Sequence, residues 1–186
     1  RQETETTNSS YISLSKIEDE ISNKKYKLNN KIRHNESLSS FIKKLFNFNT
    51  ITSDNLTKKD YEDINIYFTK DENDASIYTT YLKRLGWEHI YLTTSMFDQE
   101  SLDRVKFSAQ YSSHDVIGQE YENVVIVLDQ HFYYTADNKL SYNARAYYNP
   151  LETLFQAITR TRKKLTLVIV DNDELYKRCI QIVNKV

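Results

Sequence analysis

Hydrophobic positions change from a helical to a strand pattern and back along this chain. Helical spacing is clearest at Leu38, Phe41, Ile42, Leu45 and Phe46. It predicts an amphipathic helix that begins near Asn35 or Glu36. The run 64–68 (INIYF) predicts a strand, and 71–85 predicts a helix that Gly86 closes. Residues 89–92 then form a second candidate strand.

Two longer apolar runs follow, at 123–129 and 165–170. They are rich in β-branched residues and almost uninterrupted, which is typical of strands buried on both faces. A helix is predicted between them, over 151–161 with Pro150 in its first turn, and another over 172–184. Strands that alternate with helices predict an α/β fold with three layers, in which a mainly parallel central sheet carries helices on both faces. Ligands of such sheets usually bind at the carboxyl ends of the strands.

The N-terminal part of the chain differs in composition from the rest. Residues 1–10 are polar, and apolar residues at helical spacing between 11 and 27 predict only a weak helix. We therefore divide the chain into an N-terminal segment, 1–27, and one α/β domain, 28–186. The first residue is Arg1, so we expect the chain to be a piece of a longer protein.

Composition excludes several classes of function. Lys and Arg total 25 against 26 Asp and Glu, so any basic contact surface must be local. The single Cys179 excludes an internal disulfide, and the four histidines lack metal-ligand spacing, so we predict no metal site. There is no apolar run of about 18 residues to span a membrane. The expected location is cytoplasmic, without a membrane partner.

Glycine is rare in this chain, which has only Gly86 and Gly118. A glycine-rich phosphate-binding loop is therefore absent from it. Gly118 lies in the run 114–121 (HDVIGQEY), directly before the strand at 123–129. Glycine reaches positive φ without strain, so a tight turn is expected here.

Three segments in this order resemble the motifs of a known family. The run from His114 to Glu120 with its following strand resembles motif V of superfamily 1 helicases, the UvrD-like and RecD-like group. Residues 156–162 (QAITRTR) resemble motif VI, and 28–35 (LNNKIRHN) resemble motif IV. A narrower similarity is to ATP-binding proteins related to the Schlafen helicase domains.

This resemblance implies the second RecA-like domain of an ATP-dependent helicase or translocase. Arg160 would be the arginine finger and Arg33 a second γ-phosphate contact. Gly118, Glu120 and Arg162 would contact ATP, with Glu120 at the ribose. The implied contacts to single-stranded nucleic acid, with DNA favoured over RNA, are Ser113, His114 and Thr159. An N-terminal RecA-like domain of the same parent protein would bind most of the ATP and its Mg²⁺, so the chain alone should not hydrolyse ATP.

Other interpretations stay open at this point. The chain could be a degenerate helicase-like module that binds nucleic acid or protein without ATP turnover. An unrelated nucleotide-binding α/β domain is a third alternative, but Thr69 and Lys70 stand where a response-regulator-like fold would need acidic residues. The tyrosine-rich segment 131–149 predicts either a hairpin packed on the domain or a surface that stacks bases.

Overall fold

The computed structural model describes residues 35–92, 101–107 and 109–184. All of them belong to one unit that extends over Ile32–Val186. Its strands are β1 (Ile64–Thr69), β2 (Glu88–Tyr91), β3 (Tyr111–Ser112), β4 (Tyr121–Leu128), β5 (Phe132–Tyr134), β6 (Leu140–Tyr142) and β7 (Thr161–Val170). Its helices are α1 (Glu36–Phe46), α2 (Glu72–Arg84), α3 (Pro150–Ile158) and α4 (Asp173–Asn184).

Five parallel strands form the central sheet, in the order β1-β7-β4-β2-β3. Strands β4 and β7 occupy its middle, and their apolar residues from 124 to 128 and from 165 to 170 are buried. Burial on both faces explains why these segments are continuous apolar runs rather than alternating ones. The remaining pair, β5 and β6, makes a separate antiparallel hairpin.

Helices cover both faces of the sheet. Consecutive side chains of a strand point to opposite faces. On β1, the Tyr67 ring stacks on Tyr78 of α2 at 4.0 Å, whereas the Phe68 ring contacts Tyr176 of α4 at 5.0 Å. Helices α2 and α4 therefore lie on opposite faces, and the predicted three-layer α/β architecture is confirmed.

The helix boundaries follow from local capping chemistry. The side chain of Asn35 accepts a hydrogen bond from the Leu38 amide at the start of α1, and Asp71 caps α2 in the same way. Asn149 caps α3, where Pro150 occupies the first turn, and Gly86 follows α2 with φ +83°. These are the boundaries that the sequence predicts, except that α3 ends at Ile158 and Thr161 already belongs to β7.

Helix α2 carries apolar residues on two of its sides. Its sheet-facing residues are Ala75, Thr79 and Leu82, which are buried. The apolar residues one helical turn apart on the other side, Ile77, Tyr81 and Leu85, are 55–69% exposed. The sequence pattern alone did not show which of these two sides of the helix faces the sheet.

The tyrosine-rich segment divides into a packed part and an exposed part. In the β5–β6 hairpin Phe132 and Tyr134 are buried, and the Tyr134 hydroxyl donates to the Leu45 carbonyl of α1 at 2.8 Å. Tyr147 and Tyr148, beyond the hairpin, are 69% and 40% exposed. The first half of the tyrosine-rich segment therefore forms a hairpin packed on the domain, which is one of the two predicted alternatives.

A buried polar cluster joins α1 to the segment that precedes β1. The fully buried ammonium group of Lys44 donates to Asp54 Oδ1 at 2.9 Å and to the Tyr61 hydroxyl at 2.8 Å. Ser40 bonds both Asp54 and Tyr61. Burial alone would raise the pKa of Asp54, but hydrogen bonds from Ser40 and Lys44 outweigh it and lower the pKa to about 2.

We predict that Asp54→Ala lowers the free energy of unfolding by about 3 kcal/mol, because it leaves the Lys44 charge buried without its carboxylate. The folded pKa lies below the unfolded value of 3.8, so this stabilisation is complete above that value and declines as the pH falls towards 2. Urea denaturation across this range measures both effects. Glu62→Gln, at an exposed acid of the same segment, is the control. Equal stability of the Asp54→Ala and control variants would contradict the assignment.

His89 lies under α2 on the other face of the sheet. Its side chain is buried, and neither ring nitrogen has a hydrogen-bond partner. Burial, with a smaller effect of Lys83, lowers the pKa of His89 to about 4. The neutral ring is thus the folded form.

We predict that this histidine makes stability depend on pH between 6.5 and 4. The unfolded chain takes up the proton first as the pH falls from 6.5, so stability declines by up to about 1.4 kcal/mol per pH unit until about pH 4. His89→Leu should flatten this slope, whereas His131→Gln should keep it. Denaturation curves at pH 7, 6 and 5 test this, and an unchanged slope in His89→Leu would refute it.

Candidate functional site

The turn at residues 113–120 joins the end of β3 to the start of β4. The Asp115 carboxylate accepts a hydrogen bond from the Ser112 amide at 2.8 Å, and hydrogen bonds to this group lower its pKa. The turn closes through the Gln119 amide, which donates to the Val116 carbonyl at 3.0 Å. Gly118 adopts φ +81°, and a side chain added there would meet no atom within 4 Å. The turn is therefore closed by its own hydrogen bonds and open above Gly118.

A second segment, from the end of α3 to the start of β7, lies directly beside this turn. The Tyr121 amide donates to the Arg160 carbonyl at 2.9 Å. The Arg160 guanidinium in turn donates to the Gln119 carbonyl at 3.4 Å and to the Gln156 carbonyl of α3 at 3.2 Å. Residues about 40 positions apart in sequence are thus brought together by neighbouring parallel strands.

A β-bulge lies at the point where the two segments meet. Tyr121 pairs with Thr161 but Asn123 pairs with Lys164, so β7 contains one extra residue here. Bulges redirect side chains at the ends of strands. Arg162 Nε lies 3.9 Å from Glu120 Oε2 and 3.7 Å from Glu122 Oε1. Two predicted ATP contacts, Glu120 and Arg162, are therefore neighbours.

Glu122 and Lys163 extend this charged cluster and are not among the predicted site residues. The Lys163 ammonium contacts the Glu122 carboxylate at 2.5 Å, and its hydrogen bond lowers the pKa of Glu122. The sequence does show acidic residues at 120 and 122, at the start of one apolar run, and basic residues at 162 and 163, just before the other. Only the strand register makes them partners.

The cluster lies at the amino edge of the sheet, because Glu120 and Arg160 directly precede β4 and β7. The general expectation for a parallel sheet is a ligand site at the opposite, carboxyl edge. At the carboxyl edge, about 30 Å away along the ten residues of β7, the structure has a polar cleft of about 380 Å³. Its cations are paired, Arg104 with Glu72 and Lys70 with Asp173.

The three predicted nucleic-acid contacts have different environments. Ser113 is fully buried, and its amide donates to the Tyr91 carbonyl at 2.9 Å. The Thr159 hydroxyl donates to the Gln156 carbonyl at 3.0 Å, which closes the last turn of α3. His114 is partly exposed, and its ring meets Tyr148 edge to face with centroids 4.6 Å apart. Only His114 presents its side chain at the surface together with other aromatic groups.

Arg33 and the other residues of the motif IV segment up to 34 lie outside the described residues, and Asn35 of that segment caps α1. Within the described ranges, no group of histidine, cysteine, aspartate and glutamate side chains is arranged to hold a metal ion. None of the described helices is long and apolar enough to cross a membrane.

Comparison with known proteins gives a distant structural likeness. Neither a protein-family model nor a curated protein matches the chain. A crystal structure of the C-terminal domain of a possible DNA helicase from Lactobacillus plantarum WCFS1 is similar at 14% sequence identity, with a TM-score of 0.32. The alignment covers 83% of this chain and 97% of that domain. A likeness at this level assigns no function to the chain.

We predict that Gly118 is required for its backbone conformation and not for space. Gly118→Ala should lower the free energy of unfolding by about 1 kcal/mol, because φ +81° strains an L residue although no atom blocks the new methyl group. Gly118→Asn should be milder, since asparagine tolerates this conformation better. Thermal unfolding of the two variants shows which of them loses more stability. A greater loss with asparagine would point to crowding instead.

Proposed function

We propose that the 113–120 turn and residues 159–163 together form one half of a binding site for a nucleoside triphosphate. One observation carries this proposal: the segments that resemble motifs V and VI meet at one edge of the sheet, through the Arg160–Gln119 and Tyr121–Arg160 hydrogen bonds. A chance resemblance of two segments 40 residues apart would not require them to be neighbours.

The side chains present fit such a ligand. A carboxylate such as Glu120 accepts hydrogen bonds from ribose hydroxyl groups, and guanidinium groups bind phosphate oxygens in a planar, two-pronged geometry. The Arg160 guanidinium uses two of its five N–H donors on the carbonyls of Gln119 and Gln156, which leaves three for a ligand. The open space above Gly118 leaves room for a facing group.

In this proposal the chain is the second motor domain of an ATP-dependent helicase or translocase of superfamily 1. A facing domain would supply the phosphate-binding loop and the groups that hold Mg²⁺. Arg160 would stabilise the charge that develops on the γ-phosphate as it is transferred. Hydrolysis would then depend on closure of the two domains, and His114 would contact single-stranded nucleic acid.

A second candidate function is a helicase-like binding module that does not turn over ATP. The hydrogen bonds of Arg160 favour it, because they tie the turn to the end of α3 and give the arginine a structural role. Likewise the ion pair between Glu120 and Arg162 satisfies both charges within the chain. The two candidates differ in one property, the dependence of ATP turnover on Arg160.

We predict that Arg160→Ala reduces ATP turnover about 10³-fold or more when the facing domain is present, because the variant loses the charge at the γ-phosphate. ATP affinity should change little, since the facing domain holds most of the nucleotide. Steady-state ATPase rates and the Kd for ATP are to be measured in the same protein. The chain alone should show no Mg²⁺-dependent turnover.

Two controls separate catalysis from folding. Lys164→Ala removes an exposed cation from the same strand and should leave turnover unchanged. Arg160→Lys keeps the charge but not the planar fork, so it should recover stability better than activity. Turnover that persists in Arg160→Ala would reject the helicase motor in favour of the binding module.

A further inference from the structure

Three aromatic rings form a row on the surface beside the 113–120 turn. The rings of His114 and Tyr148 have centroids 4.6 Å apart with an interplanar angle of 83°. Tyr148 and Tyr147 are 4.9 Å apart at 81°. Tyr147 is the most exposed member of the row at 69%.

The loop that carries the two tyrosines is fixed at both ends. At one end, the Asn143 amide donates to the His131 carbonyl at 3.1 Å, and the two side chains lie 2.9 Å apart. At the other end, Asn149 caps α3 by accepting from the Leu151 amide at 3.0 Å. Between these anchors only five residues remain. The loop backbone is therefore short and anchored at both ends, which lowers the entropic cost of ordering it when a ligand binds.

The charges around the row suit a polyanion. Arg145 belongs to the same loop, two residues before Tyr147. Lys106 lies near the turn as well: its charge contributes to the lowered pKa of Asp115, and its ammonium group lies 4.3 Å from the centre of the Tyr91 ring. Exposed aromatic rings flanked by cations are the arrangement on which unpaired bases stack.

We propose that His114, Tyr147 and Tyr148 form a stacking platform for the bases of single-stranded nucleic acid, with Arg145 and Lys106 contacting its phosphates. This inference rests on the proposed function, because it extends the nucleic-acid contact at His114. It assigns a role to the exposed half of the tyrosine-rich segment. Since all bases have an aromatic face, the platform would bind with little sequence preference.

The test is the affinity of the 186-residue chain for fluorescein-labelled dT₁₅ and rU₁₅, measured by fluorescence anisotropy at several salt concentrations. Tyr147→Ala and Tyr148→Ala should each weaken binding on the order of tenfold through lost stacking. In these two variants the slope of log Kd against log salt concentration should equal that of the unchanged chain. Arg145→Ala should instead reduce that slope by about 0.7, the contribution of one phosphate contact to a single strand.

Two matched variants control this experiment. Tyr147→Phe keeps the ring and should retain the affinity of the unchanged chain. Tyr81→Ala removes a tyrosine of α2 that is 55% exposed and outside the row, and it should have no effect. Because Tyr147 lies at the surface, its variants should also melt at the temperature of the unchanged chain.

Three outcomes would overturn the platform. Binding within twofold of the unchanged chain in both alanine variants would show that the rings do not stack bases. Equal losses in Tyr147→Ala and Tyr147→Phe would assign the effect to the hydroxyl group. Absence of binding to either oligonucleotide would reject the surface altogether. None of these changes the Arg160 turnover result, so failure of the platform and failure of the nucleotide half-site remain distinguishable.

Discussion

The pairing of β4 with β7 is the constraint on which the candidate site depends. The amino ends of these buried strands lie side by side, so the segments that precede them must meet. The amide of Tyr121 and the guanidinium of Arg160 then join the two segments directly. Because the strands run parallel through the core, a change in their register would separate Glu120 from Arg162 and dismantle the charged cluster.

The turn that follows β3 places two surfaces on one short segment. Its first part presents His114 next to the exposed tyrosines, and its last part presents Glu120 next to Arg162. Only five residues lie between His114 and Glu120, among them Gly118 in its left-handed conformation. In the proposed motor, a shift of this turn on domain closure would act on nucleotide and nucleic acid together. The same geometry in a binding module would only fix the surface at His114.

Strong local signals made most of the fold predictable from the sequence. The continuous apolar runs identified β4 and β7, and capping residues such as Asn35 and Gly86 marked helix ends. The site was predictable only as separate segments, because the pairing of Glu122 with Lys163 depends on a bulge that no local pattern encodes. Likewise, the two apolar stripes of α2 and the burial of Ser113 are set by tertiary packing. The contact between His114 and Tyr148 joins residues 34 positions apart, so tertiary packing sets it and no local sequence pattern predicts it.

The most direct test of the central claim is an amide NMR titration of the chain with Mg²⁺-ATP. Even half a site should bind the nucleotide weakly, and each amide reports on its own surroundings. For the proposed half-site we expect shifts confined to residues 118–122 and 159–163, at the amino edge of the sheet. Shifts at residues 70–73, 130 and 171 would instead place the nucleotide in the carboxyl-edge cleft. That result would contradict the proposed half-site.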